Sequence, residues 1–132
     1  LVDIALQVHR DQPIDLTMGY ANVIWQRDAN AMALAALADA STEPYVVNCC
    51  GPELVSVRET AETFGRLLGK TPRFTGAEQA TALLSNGSLG HARYGKPSVS
   101  LETLIPWVAH WVSEEKPLLG KPTQFQTRDG RF

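Results

Sequence analysis

Cys49 and Cys50 stand side by side in YVVNCC (45–50) and are the only cysteines in a chain of 132 residues. Adjacent thiols could be half of a metal site, a redox pair, or two small apolar residues at the end of a buried strand. A zinc set needs four ligands, and His9, His91 and His110 are far apart with no HExxH or paired spacing. A vicinal disulfide would strain the peptide between the two residues. Free cysteine otherwise behaves as a small hydrophobe, so the pair reads as packing at a strand-to-loop junction.

Other residues with chemical potential are equally bounded by their context. His9-Arg10-Asp11 has the first letters of a kinase catalytic loop, but Leu16 stands where that loop needs its metal-binding Asn. Asp28 could serve as a catalytic carboxylate, yet it sits where a helix needs an N-cap and is read as one. Asn86-Gly87-Ser88 fits a glycosylation acceptor, which matters only in a secreted chain. The sequence contains no GxSxG elbow, P-loop or GxGxxG, so it offers neither a nucleophile nor a phosphate cradle.

The elements that would position these residues can be read from periodicity. Val2, Leu6 and His9 fall at helical spacing, with Ile4, Ala5 and Val8 widening the face, and Pro13 ends the helix. This helix starts without a capping residue, so the chain is read as a piece of a longer protein. IDLT (14–17) and NVIWQ (22–26) read as short strands. Asp28 then caps ANAMALAALADA (29–40), a helix apolar around most of its circumference and therefore expected to be covered on several sides. YVVNCC reads as a buried strand. Ser56 and Glu59 form a capping box, with Val57, Ala61, Phe64 and Leu68 on one face and Gly69 at the left-handed stop. RFTG (73–76) is a further strand. Ser85 is read as the cap of a short helix through Tyr94. Ser100 caps a last helix whose core side is Leu101, Leu104, Ile105, Val108 and Val112. Pro106 lies inside it and predicts a kink, or a start at Pro106 itself. The end, GKPTQFQTRDGRF (120–132), reads as irregular.

Composition bounds the function. Hydrophobic residues make up 44% and charged residues 20%, the balance of an ordinary folded domain. A net charge of −2 leaves no basic excess for nucleic acid. The sequence has no apolar run of membrane-spanning length and no signal-peptide pattern. With too few cysteines for a disulfide framework, the expected setting is cytoplasmic.

Three stretches, in order, resemble the C-terminal part of extended short-chain dehydrogenases/reductases, the NAD(P)-dependent epimerase/dehydratase family. NVIWQRDANAMALAAL is similar to that family's strand-then-helix segment. YVVNCCGPELVSVRETAETFGRLLGK is similar to its strand, loop and capped helix. LLSNGSLGHARYGKPSVSLETLIPWVAHWV resembles its closing segment, ending at the aromatic Trp111. The resemblance implies a mixed α/β fold over residues 1–132: a small C-terminal lobe of about four to five helices and a few short strands, without the Rossmann half. It also implies a substrate-binding lobe whose parent uses NAD or NADP, while this chain carries no cofactor-binding, catalytic or metal residues of its own. The family's Tyr-x-x-x-Lys pair is missing, since Tyr20, Tyr45 and Tyr94 are followed four positions on by Ile24, Cys49 and Ser98.

The same resemblance implies that Thr17, Met18, Asn22 and Trp25 face the substrate. Ala21 stands where nucleotide-sugar enzymes of the family often carry an Arg for the diphosphate, and Arg27 where the first Asp of their motif would be. A smaller, non-nucleotide hydroxyl, carbonyl or sugar-like substrate is therefore expected. The implied partners are the missing Rossmann half, the substrate and further copies of the chain. The competing reading is a stand-alone ligand-binding or oligomerisation module without catalytic activity.

Overall fold

The computed structural model describes residues 1–121 and 123. Helix α1 (Val2–His9) leads into strand β1 (Pro13–Asp15), and the short strand β2 (Tyr20–Ala21) precedes helix α2 (Gln26–Ala36). A 3-10 turn, Leu37–Asp39, follows α2. Strand β3 (Val55–Ser56) runs straight into helix α3 (Val57–Leu68), followed by strand β4 (Arg73–Thr75) and helices α4 (Ser88–Tyr94) and α5 (Leu101–Ser113). The strands form two separate pairs. β1 lies parallel to β4, with Ile14 opposite Phe74, and β2 lies antiparallel to β3, with Ala21 opposite Val55. Among the described residues the fold is mixed α/β, with five helices and a few short strands, as the resemblance implies.

The core lies where α1, α3 and α5 meet over the β1–β4 pair. Val8, Ile14, Leu16, Val57 and Phe64 are fully or almost fully buried, and Ile105, Ala109 and Val112 close the cluster from α5. Alternation in Ile14-Asp15-Leu16 puts the two aliphatics inward and leaves Asp15 half-buried, where its Oδ1 accepts from the Thr17 N–H and hydroxyl. On α1 the buried side chains are Ile4, Ala5 and Val8, while Val2, Leu6 and His9 sit at the margin. Proline at 13 forbids the helix to continue, and the chain leaves it through Asp11 at φ 54°. Lys70 holds the Asp11 carboxylate at 2.6 Å, fastening this corner to the end of α3.

Two of the expected helix caps are realised, those of Ser56 and Ser100. Ser56 Oγ accepts from the Glu59 N–H at the start of α3, and Gly69 ends the helix at φ 65°. Ser100 Oγ accepts from the Thr103 N–H at the start of α5. That helix runs through Pro106 from Leu101, so a start at Pro106 does not occur; the proline only removes the bond its N–H would make one turn back.

Five expectations are corrected. NVIWQ is not a strand: β2 ends at Ala21 because its partner β3 has only two residues, and α2 already begins at Gln26. Asp28 is not the N-cap of α2. Trp25 occupies that position without a side-chain cap, and Asp28 lies buried in the first turn. The helix is not covered on several sides, for Leu34 and Leu37 are 69% and 68% exposed and only Asp28 and Met32 are buried. YVVNCC forms no strand, since it pairs with no strand among the described residues, and Val46 is 79% exposed. Ser85 does not cap α4, which starts at Ser88 behind Gly87; the Ser88 N–H donates to Asn86 Oδ1 instead. The irregular end expected for 120–132 lies outside the described residues except at 120, 121 and 123.

Candidate ligand cleft

Beside the β2–β3 pair lies a cleft of about 380 Å³. Met18, Tyr20, Ala21, Asn22 and Ile24 form one wall, and Cys49 with Cys50 forms the second. Leu83 and Ser85 close it from the irregular stretch before α4. Among the described residues, no charged side chain lines it. The volume falls at the low end of the roughly 300–1,000 Å³ of small-molecule sites.

Backbone approach shapes the second wall. Gly51, next to Cys50, passes so close to the first wall that a Cβ there would lie 1.9 Å from the Val23 carbonyl oxygen. Cys50 is buried, and its Sγ donates to the Ser85 carbonyl at 3.4 Å. Burial pushes its thiol pKa up, and neighbouring Cys49 adds to the shift. His91 Nε2 bonds the Cys50 carbonyl at 2.8 Å. Cys49 is half-buried, and both thiols are free.

The four residues chosen from sequence divide into two pairs. Met18, which is buried, and Asn22 line the cleft. The Asn22 amide is bonded at both ends: Oδ1 accepts from the Ser85 N–H at 2.8 Å, and Nδ2 donates to the Glu53 carbonyl at 3.4 Å. Thr17 and Trp25 are not among the lining residues. The Thr17 hydroxyl donates to Asp15 at 2.6 Å, and with the Thr17 N–H it holds the Asp15 carboxyl below the usual carboxylate range. The Trp25 ring meets Trp107 edge-on at 5.4 Å, and the Arg27 guanidinium lies over it at 5.5 Å from its centroid. Arg27 is thus turned to an aromatic surface, and it is not a lining residue of the cleft.

Solved structures share this arrangement of elements. UDP-glucuronic acid 4-epimerase from Bacillus cereus, in complex with NAD, matches with a TM-score of 0.66 at 16% identity, over 84% of this chain and 37% of its own. UDP-glucose 4-epimerase from Thermotoga maritima, with UDP-glucose, matches at 0.65 and 15%, over 86% and 38%. RMD from Pseudomonas aeruginosa, complexed with NADPH, matches at 0.65 and 16%, over 86% and 42%. The fold is that of part of an epimerase chain. No protein-family model matches the sequence, and no curated protein does. The chain spans about two-fifths of the length of the structures it matches, so the likeness is one of fold over a partial chain.

Sequence reasoning missed Tyr20, Ile24, Leu83, Ser85 and Thr123 as lining residues and read the cysteines as packing alone. Leu83 and Ser85 lie on a stretch without regular structure, and no periodic signal announces their place at the cleft. Cys50 does pack, but it also fixes one wall.

The matched UDP-glucuronic acid 4-epimerase is in complex with NAD and the matched RMD with NADPH. Phosphate recognition in such folds needs a glycine-rich turn opening a helix, with free N–H groups aimed at the anion. At the β3–α3 junction the strand meets the helix directly, and the side chain of Ser56 occupies the Glu59 N–H. Among the described residues, no helix is long and apolar enough to cross a membrane.

Proposed function

We propose that this chain is the substrate-binding lobe of a two-lobed, NAD(P)-dependent epimerase/dehydratase-like oxidoreductase, and that its substrate is a small, neutral hydroxyl or carbonyl compound, or a sugar-like one. The cofactor, the proton-transferring pair and the hydride chemistry belong to a Rossmann half outside these residues. The task of this lobe is to enclose the substrate and exclude water from the reacting centre. The exposed valine of 45–48 and the open face of α2 are the surfaces that such a half would cover.

The observation that carries the substrate class is the cleft lining. A diphosphate is normally gripped by an arginine fork through charge-assisted, often bidentate bonds. Here Ala21 lines the wall, the lining among described residues is neutral, and Arg27 stacks on Trp25. Met18, Ile24 and Leu83 offer apolar contact, with the Tyr20 and Ser85 hydroxyls at the same cleft as polar groups that could orient a ligand.

The test is calorimetric titration of the longer, cofactor-loaded protein against UDP- and dTDP-sugars and against small neutral polyols and carbonyl compounds. The expected result is weak or absent binding of the nucleotide sugars and measurable binding within the neutral set. Micromolar binding of a nucleotide sugar that survives Arg27→Ala would overturn the assignment.

A further inference from the structure

Residues 77–87 have no regular structure between β4 and α4, yet they supply Leu83 and Ser85 to the lining of the cleft. Polar bonds attach the stretch near its two ends, and Thr81 between them is also partnered. At the start, Arg58 Nε donates to Glu78 Oε1 at 2.6 Å, and a second guanidinium nitrogen donates to Oε2 at 3.2 Å. Near the other end, the Ser85 peptide is gripped on both faces. Its N–H donates to Asn22 Oδ1 at 2.8 Å, and its carbonyl accepts from Cys50 Sγ at 3.4 Å. Asn48 Nδ2 adds a bond to the Asn86 carbonyl at 3.1 Å. The side chains of Leu83 and Leu84 are about half exposed and add little apolar anchorage. Little buried apolar contact and a handful of accessible polar bonds are the physical marks of a segment that opens locally, well below the free energy of global unfolding.

We propose that residues 77–87 form a strap that opens and closes over the cleft, and that Asn22 and Cys50 are its latch. Asn22 then acts as a positioning residue. Its amide joins the strap, through Ser85, to the loop carrying Glu53. A ligand enters by lifting Leu83 while these bonds are broken, and closure removes it from water. The Cys50 sulfur reports the state of the strap. With the strap shut, Sγ is buried against Ser85 and Gly87, where a Cβ would stand 2.9 Å from it. The strap is inferred from the geometry of this chain alone, so its test needs no substrate and stands or falls independently of the function proposed above.

The experiment uses the chain with Cys49→Ser, leaving one thiol, and follows its addition to N-ethylmaleimide by mass spectrometry. The reaction forms one S–C bond across the alkene and transfers the thiol proton to the neighbouring carbon, with no leaving group. Amide hydrogen exchange is read on the same samples. Cys50 should label slowly. Asn22→Ala should speed labelling at least about fivefold, the factor equivalent to the ~1 kcal/mol of one hydrogen bond. Exchange in 79–86 should rise with it, while α3 exchange stays unchanged. Asn22→Leu fills similar space without an acceptor for the Ser85 N–H and should label about as fast as Asn22→Ala, whereas a merely space-filling Asn22 would leave its rate near the parental one. Equal labelling in Asn22→Ala, or labelling that rises in step with α3 exchange, overturns the strap. Should that variant not fold, Glu78→Ala releases the other end, and unchanged exchange in 79–86 then overturns it equally.

Discussion

Ser98 donates both its backbone N–H and its hydroxyl to Asp28, at 2.9 and 2.8 Å, and the Val99 N–H adds a third bond at 3.1 Å. One buried carboxylate in the first turn of α2 thereby pins the segment that leads into α5. Burial alone would raise the Asp28 pKa. The Ser98 hydroxyl and the Val99 and Ser98 amides outweigh it, with Arg27 nearby, and hold the carboxyl below its ordinary value. Because the folded pKa is depressed, the stabilisation is fully present above the unfolded carboxylate value of about 4 and is lost as pH falls through the folded one. Asp28→Ala should cost about 1–3 kcal/mol at neutral pH, since it strands buried donors. Urea denaturation checks this: the gap between parent and variant should narrow as pH drops below about 4. A gap independent of pH would contradict the assignment.

Asp39, in the 3-10 turn after α2, makes a second cross-link. Arg93 and the Tyr94 hydroxyl both donate to it from the end of α4. Those bonds, Arg93 foremost, bring the Asp39 pKa to about 2, and the bond to Asp39 lifts Tyr94 from 10 to about 12. A raised tyrosine pKa means that the neutral hydroxyl is favoured in the fold. Its contribution is intact below the unfolded value of about 10 and is lost as pH rises through about 12. In a near-ultraviolet absorbance titration, the Tyr94 hydroxyl should ionise near pH 12, and Asp39→Ala should bring it back towards the ordinary value of about 10.

What the sequence made legible is what it specifies within a few residues. Ser56 reaches a backbone N–H three positions on, Gly69 takes the left-handed conformation its lack of a side chain permits, and Ser100 repeats the first device. Asp28 was misread for the opposite reason: its donors lie 70 and 71 residues away, and a helix-start carboxylate looks like a cap whether or not it serves as one. YVVNCC has strand-forming side chains, but a strand exists only with a ladder partner, and propensity cannot supply one. The cleft was half legible. Met18 and Asn22 follow β1 closely in sequence, whereas Leu83 and Ser85 arrive on a segment held by single side chains.

The junction at Ser56 leads to a prediction about cofactor. With the start of α3 capped by Ser56 and no GxGxxG fingerprint in the sequence, this chain should not hold NAD or NADP by itself. A ligand binding only the folded state at 100 times its Kd adds about 2.7 kcal/mol, easily read as a shift in Tm. The melting temperature of residues 1–132 should therefore stay within buffer scatter on adding either dinucleotide. A reproducible nucleotide-dependent rise would show that phosphate contacts exist which the capped start of α3 does not provide.

Association is the remaining expectation. Leu34 and Leu37 project from α2 and the following turn into solvent, and Val46 does so from a segment with unpaired strand character. Burying an aliphatic side chain of this size is worth about 1.5–3 kcal/mol, and soluble monomers seldom leave large apolar patches open. In the proposed two-lobed protein this surface meets the other half. In the isolated chain, a second copy is the nearest apolar surface available. Sedimentation velocity across a concentration series should show the parent chain associating and the double variant Leu34→Asp, Leu37→Asp shifted towards monomer. The Tm should change little, because neither side chain belongs to the core around Phe64. A parent chain that stays monomeric at high concentration would remove the basis for this expectation. Association that persists unchanged in the double variant would move the contact away from α2, leaving the exposed face of α5 that carries Trp107 and Trp111 as the next surface to change.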